Sequence, residues 1–345
     1  MKYLLLPFAL LYGLVATIRN KLFDCGILKS KSYQIPIITV GNLTVGGTGK
    51  TPHIEYLVRL LRDEHKTAVV SRGYGRKTSG YIEVETNSNA EDVGDEPLQL
   101  KRKFQNIRVI VDEVRTHAID TLLNEKCAPD IFLLDDAFQH RSVKAGLQLV
   151  LVDYNRPIFN DFMMPMGRLR EPRHNINRAD IVIVTKCPDN LSKNERSDFA
   201  KKLKLINKQP IFFTKISYGN LLPINSIQTI DNLNNTKILV VSGIAQPERI
   251  YQYLHSKNVV FEKIEFADHH FFNNTDIESI RKKFKDSASQ IIVTTEKDAM
   301  RLINGNLINK LQDIPIYSLP IEIEFADGRQ EKFKMLIERF ANQCN

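Results

Sequence analysis

The segment between residues 35 and 61 places the strongest constraint on what this chain can fold into. A β-branched run, Ile35–Val40, leads directly into a glycine-rich stretch, residues 41–52, that reads GNLTVGGTGKTP. A helical pattern follows, and its apolar face consists of Ile54, Leu57, Val58, Leu60 and Leu61. A strand, a glycine-rich turn that ends in Lys-Thr, and a helix are the context of a P-loop, which binds nucleotide phosphates. The segment therefore predicts a parallel α/β sheet with a nucleotide site at its edge.

Each part of the predicted P-loop has a physical role. Its glycines let backbone N–H groups curl around phosphate oxygens, and the N-terminus of the following helix adds positive potential. Lys50 would reach the β- and γ-phosphates, and the hydroxyl group of Thr51 would bind Mg²⁺. The usual motif begins with glycine where this chain has Thr44, but Gly46 and Gly47 still supply flexible backbone. The predicted nucleotide-binding residues are Thr44, Val45, Gly46, Gly47, Thr48, Gly49, Lys50 and Thr51.

A second apolar run ends in two adjacent carboxylates. Ile131–Leu134 reads IFLL and is followed by Asp135 and Asp136. Ligands of open α/β sheets bind beyond the carboxyl ends of the strands, so these carboxylates are expected beside the P-loop. One of the two would hold Mg²⁺, directly or through water, while its neighbour acts on the substrate. The sequence leaves open which one binds the metal.

Short apolar runs alternate with polar, helix-like stretches along the chain, which is typical of a parallel sheet covered by helices. The other predicted strands are 67–71, 107–111, 147–152, 181–185, 211–216, 238–242, 259–266, 291–294 and 316–319. A polar, lysine-rich stretch suggests a domain boundary near residues 190–210. We predict a P-loop NTPase-type parallel sheet with helices on both faces in residues 31–205. A second, smaller α/β lobe in residues 206–345 would close over the site.

The first 30 residues predict a membrane-interface helix. Residues 3–18 form an apolar run of 16 residues, which falls short of the ~20 needed to span a bilayer. Residues 1–35 contain five basic side chains and one acidic one, and apolar burial with attraction to anionic lipid describes a monotopic anchor. An uncleaved signal sequence and a helix packed on the protein's own core are the alternatives. The net charge of +8 also favours an acidic partner.

The predicted nucleotide is ATP rather than GTP. Thr185 and Lys186 end a predicted strand and are similar to the start of the TKxD motif with which GTP-binding proteins read guanine. The aspartate of that motif would be residue 188, which is Pro188, and Asp189 lies one position too far. The pattern therefore argues against guanine recognition and leaves ATP.

Several motifs together resemble the tetraacyldisaccharide 4'-kinases, the lipid A 4'-kinases of Gram-negative bacteria. The resemblance covers nearly the whole chain and is carried by VGNLTVGGTGKTP (40–52), SRGYGR (71–76), VGDEP (93–97), DDAFQHR (135–141), GRLREP (167–172), FADHHFF (266–272) and TTEKDA (294–299). It implies transfer of the γ-phosphate of ATP, with Mg²⁺, to the 4'-hydroxyl group of an acylated disaccharide 1-phosphate, which gives lipid IVA. It also implies a location on the cytoplasmic face of the inner membrane.

The resemblance further implies roles for side chains outside the P-loop. An attacking hydroxyl group needs a nearby base or positioning group. Asp95 matches the family's catalytic aspartate, and His269 matches a histidine that works with it from the second lobe. The sequence does not settle whether His269 or His270 has this role, and we choose the first of the pair. Arg170 would face the developing charge on the γ-phosphate, and Glu171 would bind Mg²⁺.

Two further motifs have less specific expectations. In the SRGYGR loop, Arg72 and Arg76 would meet the phosphate group of the lipid, and Tyr74 between them would flank the sugar. The TTEKDA motif follows a predicted strand of the second lobe. Its place at the end of that strand predicts a position in the cleft between the lobes.

Two other functions fit parts of the sequence. A P-loop ATPase that inserts metals or switches a partner protein would favour clusters of Cys and His ligands, but the four cysteines lie far apart without CxxC spacing. A nucleic-acid motor would explain the basic charge, but the chain has no Trp and no basic stripe interleaved with aromatic residues. The kinase interpretation predicts a lipid substrate and a membrane surface as partners, with no nucleic acid and no obligate protein partner.

Overall fold

The computed structural model describes residues 2–225, 233, 236–268 and 270–344. Within these ranges the strands follow the predicted apolar runs closely, except for three short strands at residues 82–83, 222–223 and 321–325, which were not predicted. They are β1 (Ile37–Asn42), β2 (Thr67–Ser71), β3 (Ile82–Glu83), β4 (Arg108–Val111), β5 (Ile131–Asp135), β6 (Leu147–Asp153), β7 (Ile181–Thr185), β8 (Ile211–Tyr218), β9 (Leu222–Pro223), β10 (Ile238–Ser242), β11 (Phe261–Glu265), β12 (Ile291–Thr295), β13 (Ile316–Leu319) and β14 (Ile321–Phe325). The helices are α1 (Leu6–Asp24), α2 (Lys50–Leu61), α3 (Ala90–Val93), α4 (Asp95–Lys103), α5 (Arg115–Leu123), α6 (Lys193–Leu203), α7 (Glu248–Ser256), α8 (Asn274–Asp286), α9 (Glu296–Ile303) and α10 (Gln330–Ala341).

The larger sheet in the described part of the chain has nine strands in the order β14-β8-β7-β6-β1-β5-β2-β4-β3. Its strands pair in parallel, except that the edge strands β3 and β14 are antiparallel to their neighbours. β1 lies between β6 and β5, and Val40 pairs with Asp135 in the register of β1 and β5. Because the carboxyl ends of parallel strands lie at the same edge, this register brings the P-loop and the Asp135–Asp136 pair together.

Helices cover both faces of this sheet. Along β2, Val69 packs into an apolar cluster with α2, α4 and α10, whereas Ala68 and Val70 pack into another cluster with α5. This alternation follows from the period of two along a strand that is buried on both faces. The predicted P-loop-type parallel sheet with helices on both faces is therefore confirmed.

The smaller sheet in the described residues has five strands in the order β11-β10-β12-β13-β9. Strands β10 to β13 pair in parallel, and β9 pairs with β13 in antiparallel fashion at one edge. Ile250 and Leu254 of α7 pack against one face of β10, while Ile277 and Ile280 of α8 pack against the other. These elements form a second α/β lobe.

The two sheets divide the chain differently from the predicted boundary between residues 205 and 206. β8 and β14 both belong to the larger sheet, where they pair with each other. Phe212 of β8 and Phe333 of α10 pack edge to face in the core of the first lobe, with ring centroids 5.1 Å apart. The chain therefore leaves the first lobe after β8, builds the second lobe, and returns through β14 and α10. Local patterns do not encode this return because it depends on which distant strands pair.

The N-terminal helix α1 presents apolar side chains to solvent. Ala9 and Asn20 are buried in it, whereas Phe8 is 62%, Leu10 66% and Leu11 60% exposed. These exposed side chains do not pack on the protein's own core, which was the alternative for this segment. Among the described residues, no helix is both long and apolar enough to cross a membrane.

Candidate active site

The P-loop occupies residues 43–49, between the end of β1 at Asn42 and the first residue of α2. Gly46 and Gly49 have φ angles of +98° and +88°, a region that residues other than glycine rarely adopt. The side-chain amide of Asn42 donates a hydrogen bond of 2.9 Å to the hydroxyl group of Thr48, which braces the two ends of the loop. The N-terminus of α2 thus adjoins a loop of fixed shape, the arrangement that binds phosphate groups.

The residues that follow β7 support the backbone of the P-loop. The hydroxyl group of Thr185 donates to the carbonyl oxygen of Thr48 at 2.8 Å. The ammonium group of Lys186 binds the carbonyl oxygen of Gly47 and also lies 2.8 Å from Oδ2 of Asp153. The Thr-Lys pair that is similar to a guanine-reading motif therefore braces the phosphate-binding loop.

Lys50 and Arg170 meet at one carboxylate, that of Asp136. Nζ of Lys50 lies 3.8 Å from Oδ2, and the guanidinium group of Arg170 donates to the two oxygens at 2.7 and 3.1 Å. Arg170 is brought there by its backbone, whose N–H group donates to the carbonyl oxygen of Leu43 at 2.8 Å. Burial would raise the pKa of Asp136, but the charges of Lys50 and Arg170 outweigh burial and lower it. Asp136 therefore stays ionised and fixes two cations beside the loop.

Asp135, the last residue of β5, lines a small pocket with Thr51, Ser71 and Glu96. The hydroxyl group of Ser71 donates to Oδ2 of Asp135 at 3.3 Å, whereas the buried Oδ1 has no hydrogen-bond partner among the described residues. Burial, followed by the negative charge of Glu96, raises the pKa of Asp135 to about 6 although Lys50 opposes the rise. The pocket therefore gathers negative charge that a cation would stabilise.

The donor atoms of this pocket suit Mg²⁺, which does not need a complete set of protein ligands. Across the part of the chain that the structure describes, no three His, Cys, Asp or Glu side chains are grouped as metal ligands. Mg²⁺ usually takes one or two carboxylates, and its remaining ligands are waters and substrate phosphates. Asp135 and Thr51 line the same pocket, and their carboxylate and hydroxyl groups supply such a partial set.

Glu171 is predicted as a further metal ligand, but the structure engages one oxygen of its carboxylate elsewhere. Oε2 accepts hydrogen bonds from Asn20 at 3.0 Å, from Asn175 at 2.7 Å and from Arg178 at 2.6 Å. Because Asn20 belongs to α1, this carboxylate ties the N-terminal helix to the GRLREP segment. The other oxygen, Oε1, is buried and has no hydrogen-bond partner among the described residues, so it is the oxygen that remains for a metal.

Asp95 begins α4 and meets a cation from the second lobe. Its Oδ1 accepts a hydrogen bond from the N–H group of Glu96 at 3.1 Å, and its Oδ2 forms an ion pair with Arg301 of α9. Asp298 holds the same guanidinium group at 3.0 Å. The expected partner His269 lies outside the described residues, so its pairing with Asp95 stays a prediction.

The neighbouring histidine, His270, is engaged within its own lobe. Its Nε2 lies 2.8 Å from Oδ2 of Asp276, and its ring stacks on Phe266 with centroids 4.8 Å apart. This arrangement holds His270 with two residues of the second lobe.

Sequence patterns do not reveal the partners of the VGDEP acids. Lys297 forms an ion pair with Glu96, and Glu96 in turn accepts a hydrogen bond of 2.8 Å from the hydroxyl group of Thr51. Burial would raise the pKa of Glu96, but Lys297, Lys50 and the bond from Thr51 lower it. Lys297 belongs to the TTEKDA motif, which therefore lies between the lobes as expected. One signal in the sequence does point to Arg301. It follows Lys297 by four residues, the spacing at which two side chains share a helix face.

The three residues of the SRGYGR loop that were expected to contact the substrate lie in different environments. Arg72 is exposed, and Tyr74 is 77% exposed. Arg76 instead forms an ion pair with Glu113 and donates to the carbonyl oxygen of Gly80 at 2.8 Å. Since its side chain is only 2% exposed, Arg76 stabilises the loop, and the structure does not support its expected contact with the lipid phosphate.

The fold and these contacts define a P-loop nucleotide-binding protein whose second lobe reaches the phosphate site. The family model described as tetraacyldisaccharide-1-P 4'-kinase matches residues 1–341. The chain therefore belongs to the tetraacyldisaccharide 4'-kinase family. It is accordingly a kinase, and the alternative of a metal-inserting or partner-switching ATPase is not favoured.

Named relatives agree with this assignment. A tetraacyldisaccharide 4'-kinase from Flavobacterium johnsoniae is 46% identical over 331 residues, which cover 96% of this chain and 94% of the relative. The tetraacyldisaccharide 4'-kinase from Phocaeicola vulgatus is 43% identical over 347 residues, which cover 98% and 95%. The crystal structure of LpxK from Aquifex aeolicus in complex with ATP matches with a TM-score of 0.77 at 30% identity, covering 98% of this chain and 99% of that one.

Proposed function

We propose that this kinase transfers the γ-phosphoryl group of ATP to the 4'-hydroxyl group of a tetraacyldisaccharide 1-phosphate, which gives lipid IVA. The observation that carries the proposal is the cluster of Lys50, Asp136 and Arg170 at the P-loop, in a chain that matches the 4'-kinase family from residue 1 to residue 341. ATP is favoured because Pro188 stands where a guanine-reading motif has aspartate. The solved relative from Aquifex aeolicus also contains ATP.

The P-loop acts on the transferred group through position and charge. Phosphoryl transfer needs little covalent chemistry from the protein, so positioning and electrostatic stabilisation dominate. Backbone N–H groups of residues 44–51 bind phosphate oxygens, except that of Val45, which donates to the carbonyl oxygen of Arg168 at 2.8 Å. Lys50 reaches the β- and γ-phosphates, and Arg170 stabilises the developing charge. Asp136 orients both cations before ATP binds. Its contact with Lys50, at 3.8 Å, is longer than a hydrogen bond, so the ammonium group can swing to the phosphates.

Mg²⁺ would be held by Thr51 and by Asp135 or Asp136, with Glu171 as a further ligand through its Oε1, which has no hydrogen-bond partner among the described residues. The support for this site is the buried Oδ1 of Asp135, which lacks a hydrogen-bond partner in the described part of the chain. When bound, the metal would supply positive charge that neutralises the charge developing during phosphoryl transfer. Ser71 and Glu96 keep Asp135 and Thr51 in place through their hydrogen bonds.

Asp95 would accept the proton of the 4'-hydroxyl group as that group attacks, and His269 would orient Asp95 from the second lobe. The ion pair with Arg301 supports a position of Asp95 at the interface of the two lobes. The base is then complete only when the second lobe is docked, so that closure of the lobes and chemistry are linked.

The kinase would work on the membrane surface, at the cytoplasmic face of the inner membrane, with α1 lying in the interface. The exposed apolar side chains of α1 support this placement, and Arg19 and Lys21 near its end suit anionic headgroups. The hydrogen bond from Asn20 to Glu171 puts the same helix beside the active site. The acyl chains of the substrate would remain in the bilayer while the disaccharide reaches the P-loop.

The direct experiment supplies the protein with ATP, Mg²⁺ and an acylated disaccharide 1-phosphate, and analyses the lipid by mass spectrometry. The proposal expects a product heavier by one phosphoryl group, and no such product from an acceptor that lacks the 4'-hydroxyl group. ATP hydrolysis that is indifferent to the glycolipid and stimulated by a protein would instead support the ATPase alternative.

A further inference from the structure

Charged contacts outside the P-loop join the start of α4 to one face of α9. Glu96 pairs with Lys297, and Asp95 pairs with Arg301. The two cations are four residues apart on α9, so they project from the same face of the helix. Two adjacent acids of the first lobe thus meet two cations that the second lobe presents together.

The contact between Lys297 and Glu96 leads directly to the P-loop. Oε1 of Glu96 binds the ammonium group of Lys297, and Oε2 accepts the hydroxyl group of Thr51 at 2.8 Å. The two oxygens of one carboxylate therefore face different lobes. Because a carboxylate is rigid and planar, the place of Lys297 determines where Glu96 presents the oxygen that holds Thr51.

Lys297 also compensates a partly buried negative charge. Glu96 lines the same pocket as Asp135, so two carboxylates lie close together there. Removing one partner of a partly buried ion pair leaves the other charge uncompensated, which disturbs the local geometry more than loss of a fully exposed pair does. Loss of Lys297 would therefore leave two neighbouring carboxylates to repel each other, and Glu96 would turn away from Thr51.

We infer that Lys297 is a positioning residue that couples the second lobe to the phosphate site through Glu96 and Thr51. The inference rests on the proposed function, since it assumes that the hydroxyl group of Thr51 takes part in binding ATP with Mg²⁺. Coupling of this kind is reciprocal: docking of α9 favours nucleotide binding, and nucleotide binding favours docking. The second lobe thereby prepares the P-loop in addition to delivering His269.

Lys103 offers a matched control because it makes a similar contact that bypasses Thr51. Its Nζ lies 2.6 Å from Oε1 of Glu296 on α9 and 2.6 Å from Oε2 of Glu55 on α2. Replacing Lys103 also removes an ion pair between the lobes, but it leaves the hydrogen bond between Thr51 and Glu96 in place.

The test compares the full-length protein with Lys297→Met, Lys297→Arg and Lys103→Met. One measurement is the rise in melting temperature that ATP produces with and without Mg²⁺, and the other is the Mg²⁺ concentration for half-maximal kinase activity. We expect Lys297→Met to lose most of the Mg²⁺-dependent thermal shift and to need at least about tenfold more Mg²⁺, as when a metal ligand loses its supporting partner. Lys297→Arg should restore part of both, and Lys103→Met should keep both while lowering the melting temperature without ligand.

Unchanged Mg²⁺ dependence in a folded Lys297→Met protein would overturn the inference. An equal change in Lys103→Met would also overturn it, because any loss of contact between the lobes would then suffice. If Lys297→Met does not fold, Lys297→Gln replaces it, since glutamine can donate to Glu96 without carrying a charge. The proposed function fails separately, if the unaltered protein forms no phosphorylated lipid.

Discussion

Asp136 and Glu96 each hold two partners at the phosphate site. Asp136 joins Lys50 to Arg170, and Glu96 joins Thr51 to Lys297. Both carboxylates orient groups that would otherwise sample many rotamers, which lowers the reorganisation needed when ATP binds. At the residue scale, the site is therefore organised before the substrate arrives.

His53 stabilises the site from below the P-loop and makes stability depend on pH. Its Nδ1 lies 2.7 Å from the carbonyl oxygen of Gly49, and its Nε2 lies 3.1 Å from the hydroxyl group of Thr214 on β8. Burial lowers the pKa of His53 to about 4, although the Gly49 carbonyl opposes this shift. The ordinary pKa of histidine is 6.5. Between this pH and about pH 4, His53 is protonated in the unfolded chain but neutral in the folded chain. The free energy of unfolding is therefore fully retained above pH 6.5 and falls as the pH decreases towards 4.

Replacing His53 by Gln should remove this part of the pH dependence. Across the window between the two pKa values, the free energy of unfolding of the unaltered protein should fall by about 3 kcal/mol more than that of His53→Gln. Denaturant unfolding of both proteins at several pH values measures the difference. Parallel pH profiles would show that His53 is not responsible for it.

Asp95 and His269 are expected to act as a unit. The double mutant Asp95→Ala/His269→Ala should then be little worse than the more damaging single mutant, because residues that act together give non-additive losses. A double-mutant cycle on kcat, with the lipid substrate saturating, makes the comparison. Multiplicative losses would mean independent roles. A silent His269→Ala beside a damaging His270→Ala would assign the role to the other histidine.

At the scale of elements, α1 connects an exposed apolar surface to the catalytic loops. Arg141 of the DDAFQHR motif donates to the carbonyl oxygen of Asn20 at 2.8 Å and pairs with Asp24 at 2.6 Å. The hydrogen bond from Asn20 to Glu171 adds a contact to the GRLREP segment. The end of the helix is thus fixed to the site, while its earlier turns expose leucine and phenylalanine.

Polar replacements on α1 should weaken membrane binding. In the variant Leu10→Gln/Leu11→Gln/Leu14→Gln, recovery with anionic phospholipid vesicles should fall by at least about tenfold, since each buried leucine contributes roughly 2 kcal/mol. The control Ile206→Gln/Val260→Gln changes exposed apolar residues outside α1 and should bind as before. Equal vesicle binding by all three proteins would place the membrane contact elsewhere.

Most strands could be predicted because each is a local apolar run, but β14 and the pairing partners of the strands could not. β14 has the alternating sequence IEIEF, and its pairing with β8 carries the chain back into the first sheet. Nothing local distinguishes such a strand from one that stays in the second lobe. The boundary between residues 205 and 206 therefore reflects the order of elements along the chain, whereas lobe membership depends on contacts between distant segments.

At the scale of the whole molecule, the site draws on both lobes. The P-loop and Asp135 could be predicted from sequence, because a strand, its following turn and their chemistry are contiguous. Lys297 and Arg301 lie about two hundred residues from the acids they meet, a separation that local patterns cannot bridge. For Glu171, the motif indicates a carboxylate suited to bind a metal. It does not reveal the hydrogen bond from Asn20, which depends on how α1 packs.

The γ-phosphoryl group of ATP bound at the P-loop is proposed to pass to a lipid acceptor. The rate of lipid phosphorylation by Lys50→Ala tests this claim most directly. The lysine acts as a point charge on the phosphates, so its loss should reduce the rate at saturating lipid by at least about a hundredfold. The circular dichroism spectrum and melting temperature should stay close to those of the unaltered protein. A folded Lys50→Ala protein that phosphorylates the disaccharide 1-phosphate at a near-normal rate would contradict the claim.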